Sequence, residues 1–135
     1  MTFHPWRCLR ELTDVEVVWK DVEEELGCYD YCARRITMDS TQTQAERRST
    51  LAHELMHIER GPFPDEQRER EELIVEREAA RLLIEIKPLA EAMAWSTDMH
   101  EIADELWVDE MMLRSRLHNL HPAERAYLHR RLAEL

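Results

Sequence analysis

The pentapeptide His53-Glu54-Leu55-Met56-His57 combines the residue types and the spacing of a hydrolytic metal site. Residues four apart lie on one face of an α-helix, with Cβ atoms about 5–6 Å apart. Two histidines placed in this way can bind one ion, and zinc takes imidazole nitrogen at about 2.0–2.1 Å. Glu54 lies about 100° further around such a helix, where it can accept a proton from a water molecule at the ion. The pattern predicts the arrangement of metallopeptidases, with His53 and His57 as ligands and Glu54 as general base.

The residues around the pentapeptide indicate the helix that this arrangement requires. Residues 43–46, Thr-Gln-Ala-Glu, fit a capping box, and no helix-breaking residue follows before Gly61-Pro62. Leu51, Leu55 and Ile58 fall on the side opposite the histidines. One side of the helix is therefore expected to face the core and the other a cleft, whereas a chance pattern on a solvated helix is the alternative.

A second helix, capped by Asp65, is expected to supply the third ligand. Six apolar residues share one side of this helix: Val75, Ala79, Ala80, Leu82, Leu83 and Ile86. Glu72 and Glu76 fall on the same side, where a carboxylate is costly unless it is paired or bound to a metal. The pattern favours Glu76, and with less support Glu72, as the third ligand. Salt bridges to Arg77 or Arg48 are the structural alternative.

The composition indicates one folded domain of 135 residues. Hydrophobic residues make up 44% of the chain, which excludes wholesale disorder. The net charge is −11, with 29 acidic against 18 basic residues, which argues against nucleic-acid or anionic-membrane binding through a generally basic surface. We find no long apolar span and no signal-peptide pattern, and Cys8, Cys28 and Cys32 lack metal-type spacing. These features predict a cytoplasmic protein with idle thiols.

The segment before the metal-site helix is expected to form a short helix followed by strands. Residues 15–19 alternate as in a strand, residues 26–28 allow a turn, and residues 29–39 suggest a strand or hairpin arm. This arm has two interpretations. It is either an edge strand that offers backbone groups to an extended peptide, or an ordinary strand that covers the helix, which the pattern alone favours.

The last third of the chain predicts helices with the spacing of a helix-turn-helix. Residues 99–108 and 109–117 form the pair, and residues 122–135 form a final helix. The second helix opens with Asp109 and Glu110, which would face DNA phosphates. The favourable side chains in it are Arg114, Arg116 and His118. A structural helical extension is therefore the preferred interpretation, and a DNA-binding regulator acting through residues 99–120 is the alternative.

Three segments together resemble the ImmA/IrrE family of metallopeptidases, namely Ile36-Thr37-Met38-Asp39, residues 48–57 and residues 76–83. The likeness covers residues 15–88 firmly and extends loosely to about residue 120, and it is similar to the short forms of actinobacteria and their phages. It implies His53, His57 and Glu76 as metal ligands and Glu54 as base, since Glu76-x-x-Ala79 matches the family pattern. The chain departs from that pattern at Ala80, Leu83 and Lys87-Pro88.

The resemblance also implies an architecture. We expect an α+β fold in which a small mixed or antiparallel sheet packs on a zincin-type HExxH helix. Residues 1–88 would form the metallopeptidase core. Residues 89–135 would form a helix-turn-helix-like extension packed on that core within a single domain.

The resemblance implies a function as well. The expected activity is a zinc-dependent endopeptidase, with Mn²⁺ as a possible substitute for Zn²⁺. Its expected partner is a cognate helix-turn-helix repressor, whose cleavage releases a phage, mobile element or stress regulon. It would act in the cytoplasm, that of the bacterial host if a phage encodes it. The rival interpretation is a regulator that uses the metal only structurally and binds the repressor without cutting it.

Overall fold

The computed structural model describes residues 3–21 and 27–134. Its helices are α1 (Pro5–Glu11), α2 (Gln44–Arg60), α3 (Arg68–Leu83), α4 (Ile86–Trp95), α5 (Met99–Leu106), α6 (Glu110–His118) and α7 (Pro122–Ala133), with a 3-10 turn at Asp65–Gln67 before α3. Its strands are β1 (Glu16–Lys20), β2 (Gly27–Asp30) and β3 (Arg35–Asp39). The expected α+β fold is therefore confirmed.

The three strands of the described residues form a mixed sheet in the order β1-β3-β2. β1 runs parallel to β3, and β2 pairs antiparallel with β3. The central strand turns Ile36 and Met38 fully inward. Gly27 and Cys28 belong to β2, so the turn predicted at residues 26–28 is wrong for these two residues, and Leu26 lies outside the described residues. The glycine serves a close approach between elements, described below, and not a turn.

Helix α2 lies between two hydrophobic cores. Its capping box is present as predicted, because Thr43 Oγ1 accepts from the Glu46 amide and the Glu46 carboxylate accepts from the Thr43 amide. The helix ends at Gly61, whose φ of 84° is in the region that glycine tolerates best. Leu51 and Leu55 face the sheet, whereas Ala52 faces the helices that follow.

The larger core joins α2 and α3 to the four helices that end the chain. Its buried members include Ala79, Ala80 and Leu83 of α3, together with residues of α4, α5, α6 and α7. Small side chains at positions 79 and 80 are fully buried and let α3 pack closely against its neighbours. The three helices predicted after residue 98 are present as α5, α6 and α7, and the boundary at residue 88 stays a prediction.

Arg116 of α6 ties the last helices together. Its guanidinium donates to the Ile84 carbonyl oxygen (2.8 Å) and to Glu124 Oε1 (2.9 Å), and its side chain is only 3% exposed. One of the three side chains that could have favoured DNA contact is thus used inside the protein. Within the described residues, none of the helices has both the length and the apolar character needed to cross a bilayer.

Candidate metal centre

Helices α2 and α3 bring three ligand-type side chains to one point. His53 Nε2 lies 2.9 Å from Glu72 Oε2, and His57 Nε2 lies 3.0 Å from Glu72 Oε1. The two imidazole rings stand 4.9 Å apart at an angle of 70°. One potential ligand atom from each of the three residues lies within 4.8 Å of the others. The helical spacing of the two histidines therefore brings both rings to the same carboxylate.

The chemistry of these donors fits a zinc-class ion. Two imidazole nitrogens and one carboxylate oxygen are the set that leaves a fourth position open in catalytic zinc sites. Burial, assisted by the neighbouring His57, lowers the pKa of His53, while Glu72 acts in the opposite direction. The neutral form of a histidine is the form that binds a metal. This set does not distinguish zinc strictly from manganese.

The carboxylate in this cluster belongs to Glu72 and not to Glu76. Glu76 lines the same cleft one turn further along α3, but the cluster of ligand atoms found among the described residues does not include it. The geometry therefore favours the residue to which the sequence pattern gave less support. The structural alternative of a salt bridge finds no support here, because Arg77 bonds Glu78 and Arg48 bonds the Trp107 carbonyl oxygen.

Glu54 lies in the wall of the cleft, under strand β2. Glu54 is only 5% exposed, and it lines the same cavity as both histidines. A Cβ built on Gly27 would lie 3.5 Å from Glu54 Oε1 and 2.5 Å from Thr50 Cγ2. Any larger residue at position 27 would therefore push β2 away from α2. This role of Gly27 was missed because the sequence shows a glycine but not the helix that lies against it.

Tyr31 and Glu71 fix the end of α2 that carries His57. The Tyr31 hydroxyl donates to the His57 carbonyl oxygen at 3.0 Å. Burial, reinforced by Glu54, raises the pKa of Tyr31, so the phenol keeps the proton that it donates. Glu71 accepts a bidentate pair of hydrogen bonds from Arg60 at the end of α2, and this contact lowers the pKa of Glu71. These residues position the histidines, and the sequence alone did not assign them.

The centre opens into a cleft of about 410 Å³ between β2, α2, α3 and the start of α6. Asp109, the N-cap of α6, lines this cleft. Its backbone amide donates a hydrogen bond to Ser49 Oγ of α2 at 3.2 Å. Burial raises the pKa of Asp109. A broader depression of about 880 Å³ continues between α3 and α6 and shares Glu76, Met111 and Ser115 with the cleft. The arrangement suits a substrate longer than one residue.

Comparison with known proteins places this centre in a family. The model of a peptidase family, described as the IrrE N-terminal-like domain, matches residues 10–118. Neither the curated proteins nor the solved structures yielded a match. The matched residues run from α1 to the end of α6 and include every side chain of the metal centre. The chain therefore belongs to the IrrE N-terminal-like family of metallopeptidases.

Proposed function

We propose that this protein is a zinc-dependent endopeptidase that cleaves a helix-turn-helix repressor in the cytoplasm. One observation carries the peptidase part of the proposal. His53, His57 and Glu72 converge in an open cleft, and the buried carboxylate of Glu54 lies in the wall of the same cleft. A structural metal site would have its positions filled by the protein, whereas this one faces open space.

The residues of the cleft have different roles in the proposed reaction. A zinc-class ion held by His53, His57 and Glu72 would polarise the scissile carbonyl and make water acidic enough to attack at neutral pH. Glu54 accepts the proton of the attacking water and transfers it to the departing amine. Its position beneath β2 limits the number of orientations that its carboxylate can adopt. Tyr31 holds the His57 end of α2 through the backbone and is a positioning residue.

Strand β2 offers a means of binding an extended polypeptide. It is one of the two outer strands of the sheet in the described residues, and Gly27, Cys28 and Tyr29 line the cleft. An extended peptide can add to such an edge through main-chain hydrogen bonds, with its side chains in neighbouring pockets. The sequence pattern had favoured an ordinary covering strand for residues 29–39. Their second half is β3, which lies at the centre of the sheet as a covering strand, whereas Tyr29 and Asp30 belong to the edge strand β2. The depression beyond Glu76 would receive further substrate residues.

The choice of a repressor as substrate rests on the family resemblance and needs a direct test. We suggest co-expressing the protein with the repressor encoded nearest to its gene and analysing the repressor by intact mass spectrometry. We expect one defined fragment pair with the wild-type protein and with Glu59→Gln, an exposed control on the same helix. Glu54→Gln should leave the repressor whole. A repressor that binds metal-loaded wild-type protein but stays intact would instead support the regulator that binds without cutting.

A further inference from the structure

A second cavity, of about 450 Å³, lies away from the metal centre between α1, the first turns of α2 and the turn that joins α5 to α6. Four arginines line it, Arg7, Arg10, Arg47 and Arg48, and two tryptophans, Trp6 and Trp107, contribute aromatic faces. No acidic residue is among its lining residues in the described chain. In a protein with 29 acidic and 18 basic residues, this segregation of positive charge is informative. We call this cavity the arginine–tryptophan pocket.

No carboxylate of the described residues neutralises the positive charges of this pocket. Among the described residues, salt bridges reach many other arginines of the chain but none of these four. Arg47 donates to the carbonyl oxygens of Gln42 and Ser40, and Arg48 donates to that of Trp107 at 3.1 Å. Neutral carbonyls orient a guanidinium but leave its charge in place. Burial lowers the pKa of Arg48, which shows that holding a cation here has a cost.

Trp107 adds an independent observation. Its φ is 62°, in the left-handed region that glycine or asparagine occupies at helix ends with less strain. Its side chain is nevertheless 63% exposed, so the protein gains little burial from the indole. A bulky residue kept in a strained conformation without burial is a mark of a functional position. The exposed indole face opens onto the same cavity as the arginines.

We propose that the arginine–tryptophan pocket binds a nucleotide, with its phosphate on the arginines and its base stacked on a tryptophan. One guanidinium group can donate two parallel hydrogen bonds to the oxygens of a phosphate. Aromatic side chains stack on any base because every base has a π-face. The volume of the cavity lies within the usual range for small-molecule sites. A free nucleotide fits better than a nucleic acid strand, because a net charge of −11 repels a polyanion beyond the pocket.

The proposal is tested by calorimetric titration of the full-length, metal-loaded protein. Adenosine monophosphate should bind with a Kd below about 1 mM, and inorganic phosphate and adenosine should each bind at least about 10-fold more weakly, since each keeps only half of the contacts. Phosphate that binds as tightly as the nucleotide would overturn the proposal. A single-stranded oligothymidylate that binds at least about 10-fold more tightly than the nucleotide would also overturn it, in favour of nucleic acid.

Matched variants locate the binding. Arg7→Ala/Arg10→Ala removes two exposed charges of the pocket, and Arg130→Ala/Arg131→Ala removes two exposed charges from α7. The first variant should weaken nucleotide binding by at least about 10-fold, and the second should change it by less than about 2-fold. Trp107→Gly should also weaken binding about 10-fold, while relief of the backbone strain keeps the melting temperature at or above that of the wild type. Binding that survives both pocket variants, for example at the metal centre, would refute the proposal.

Discussion

At the scale of single residues, two glutamates on one face of α3 are the candidates for the third metal ligand. Resemblance to the family pattern points to Glu76, whereas Glu72 is the residue that contacts both histidines. Both lie on the side of α3 that faces α2, and the two are one turn apart. Residues one turn apart can reach the same ion, as the spacing of His53 and His57 illustrates, so position on α3 alone does not decide between the two glutamates. The crossing of α2 and α3 favours Glu72, because it brings this carboxylate within hydrogen-bond distance of both histidines.

The first prediction concerns this pair. Glu72→Ala should weaken zinc binding by more than about 100-fold, beyond the 10–100-fold typical of residues that only orient a ligand. Glu76→Ala should retain the ion with affinity within about 10-fold of wild type, since it would remove at most a charge near the site. Competition titrations with a chromophoric chelator measure both. The opposite order would restore Glu76 as the ligand and leave His53 and His57 in place.

The second prediction concerns the buried base. Glu54→Gln preserves the size of the side chain but cannot accept a proton, so cleavage should fall by at least about 10²-fold. Metal content and melting temperature should stay near those of the wild type, because the ligands are untouched. Glu59→Gln, on the exposed side of the same helix, serves as the control in a single-turnover assay. Full activity of Glu54→Gln would remove Glu54 from the mechanism.

At the scale of elements, the contact of β2 with α2 forms the wall of the cleft that contains Glu54. Gly27 places the strand so close to the helix that a Cβ atom would meet Thr50 Cγ2 at 2.5 Å. Thr50 cannot turn away freely, because its hydroxyl accepts a hydrogen bond from Gln42 Nε2 at 2.7 Å inside the protein. One methyl group of α2 thus limits the residue type that β2 can carry at this position.

The third prediction uses that contact. Gly27→Ala should destabilise the protein by about 1–3 kcal/mol, the usual effect of overpacking, and should slow cleavage by displacing the strand from Glu54. Thr50→Ser removes the clashing methyl group and keeps the hydroxyl. The double variant should therefore recover most of the lost stability and rate, as measured by urea unfolding and peptide cleavage. A Gly27→Ala protein that Thr50→Ser fails to rescue would place the conflict elsewhere.

The fourth prediction follows from the ion pair between α6 and α7. Hydrogen bonds from Arg116 lower the pKa of Glu124 from 4.5 to about 2. A carboxylate with a lowered pKa stabilises the folded state fully above pH 4.5, and this contribution is lost as the pH falls toward 2. Glu124→Gln should therefore cost about 2 kcal/mol at neutral pH, allowing for the quarter of the side chain that is exposed.

The difference between Glu124→Gln and the wild type should then shrink as the pH is lowered from 4.5 toward 2. Denaturant unfolding across this range measures it, with Glu91→Gln on the surface of α4 as control. A difference that stays constant with pH would mean that the loss came from packing and not from the charge.

At the scale of the whole molecule, the C-terminal helices are part of the core on which the metal centre rests. Without them, Ala79, Ala80, Leu83 and Ile84 would lose the partners that bury them. The fifth prediction is that a chain ending at residue 88 does not unfold cooperatively and exposes apolar surface, as seen by dye binding. A chain ending at residue 120 keeps α4 to α6 and should melt cooperatively, although at a lower temperature. A sharp thermal transition for residues 1–88 would show that this part folds alone.

Short-range signals in the sequence predicted some of these features. Features that depend on contacts between distant parts of the chain could not be predicted from it. The capping box at Thr43, the helical spacing of His53 and His57, and the break at Gly61 each depend on neighbours within a few residues. The choice of Glu72 depends on how two helices cross, and the role of Gly27 depends on a strand lying over a helix. The arginine–tryptophan pocket joins positions 7, 48 and 107, so no window of sequence displays it.

The location of α2 between two hydrophobic cores determines the order in which parts of the protein unfold. Its backbone amides near Leu51 and Ala52 can exchange with deuterium only when the sheet side and the helical side have both separated from it. Among the described residues, strand β2 and α1 contribute side chains to the smaller core and none to the larger one, so they can detach in a partial opening. The histidines are thus carried on the segment that becomes accessible last. As the protein partly unfolds, strand β2, where we propose that substrate binds, should detach before a metal held by the histidines is released. The protein would then be inactive while still metal-loaded and able to recover.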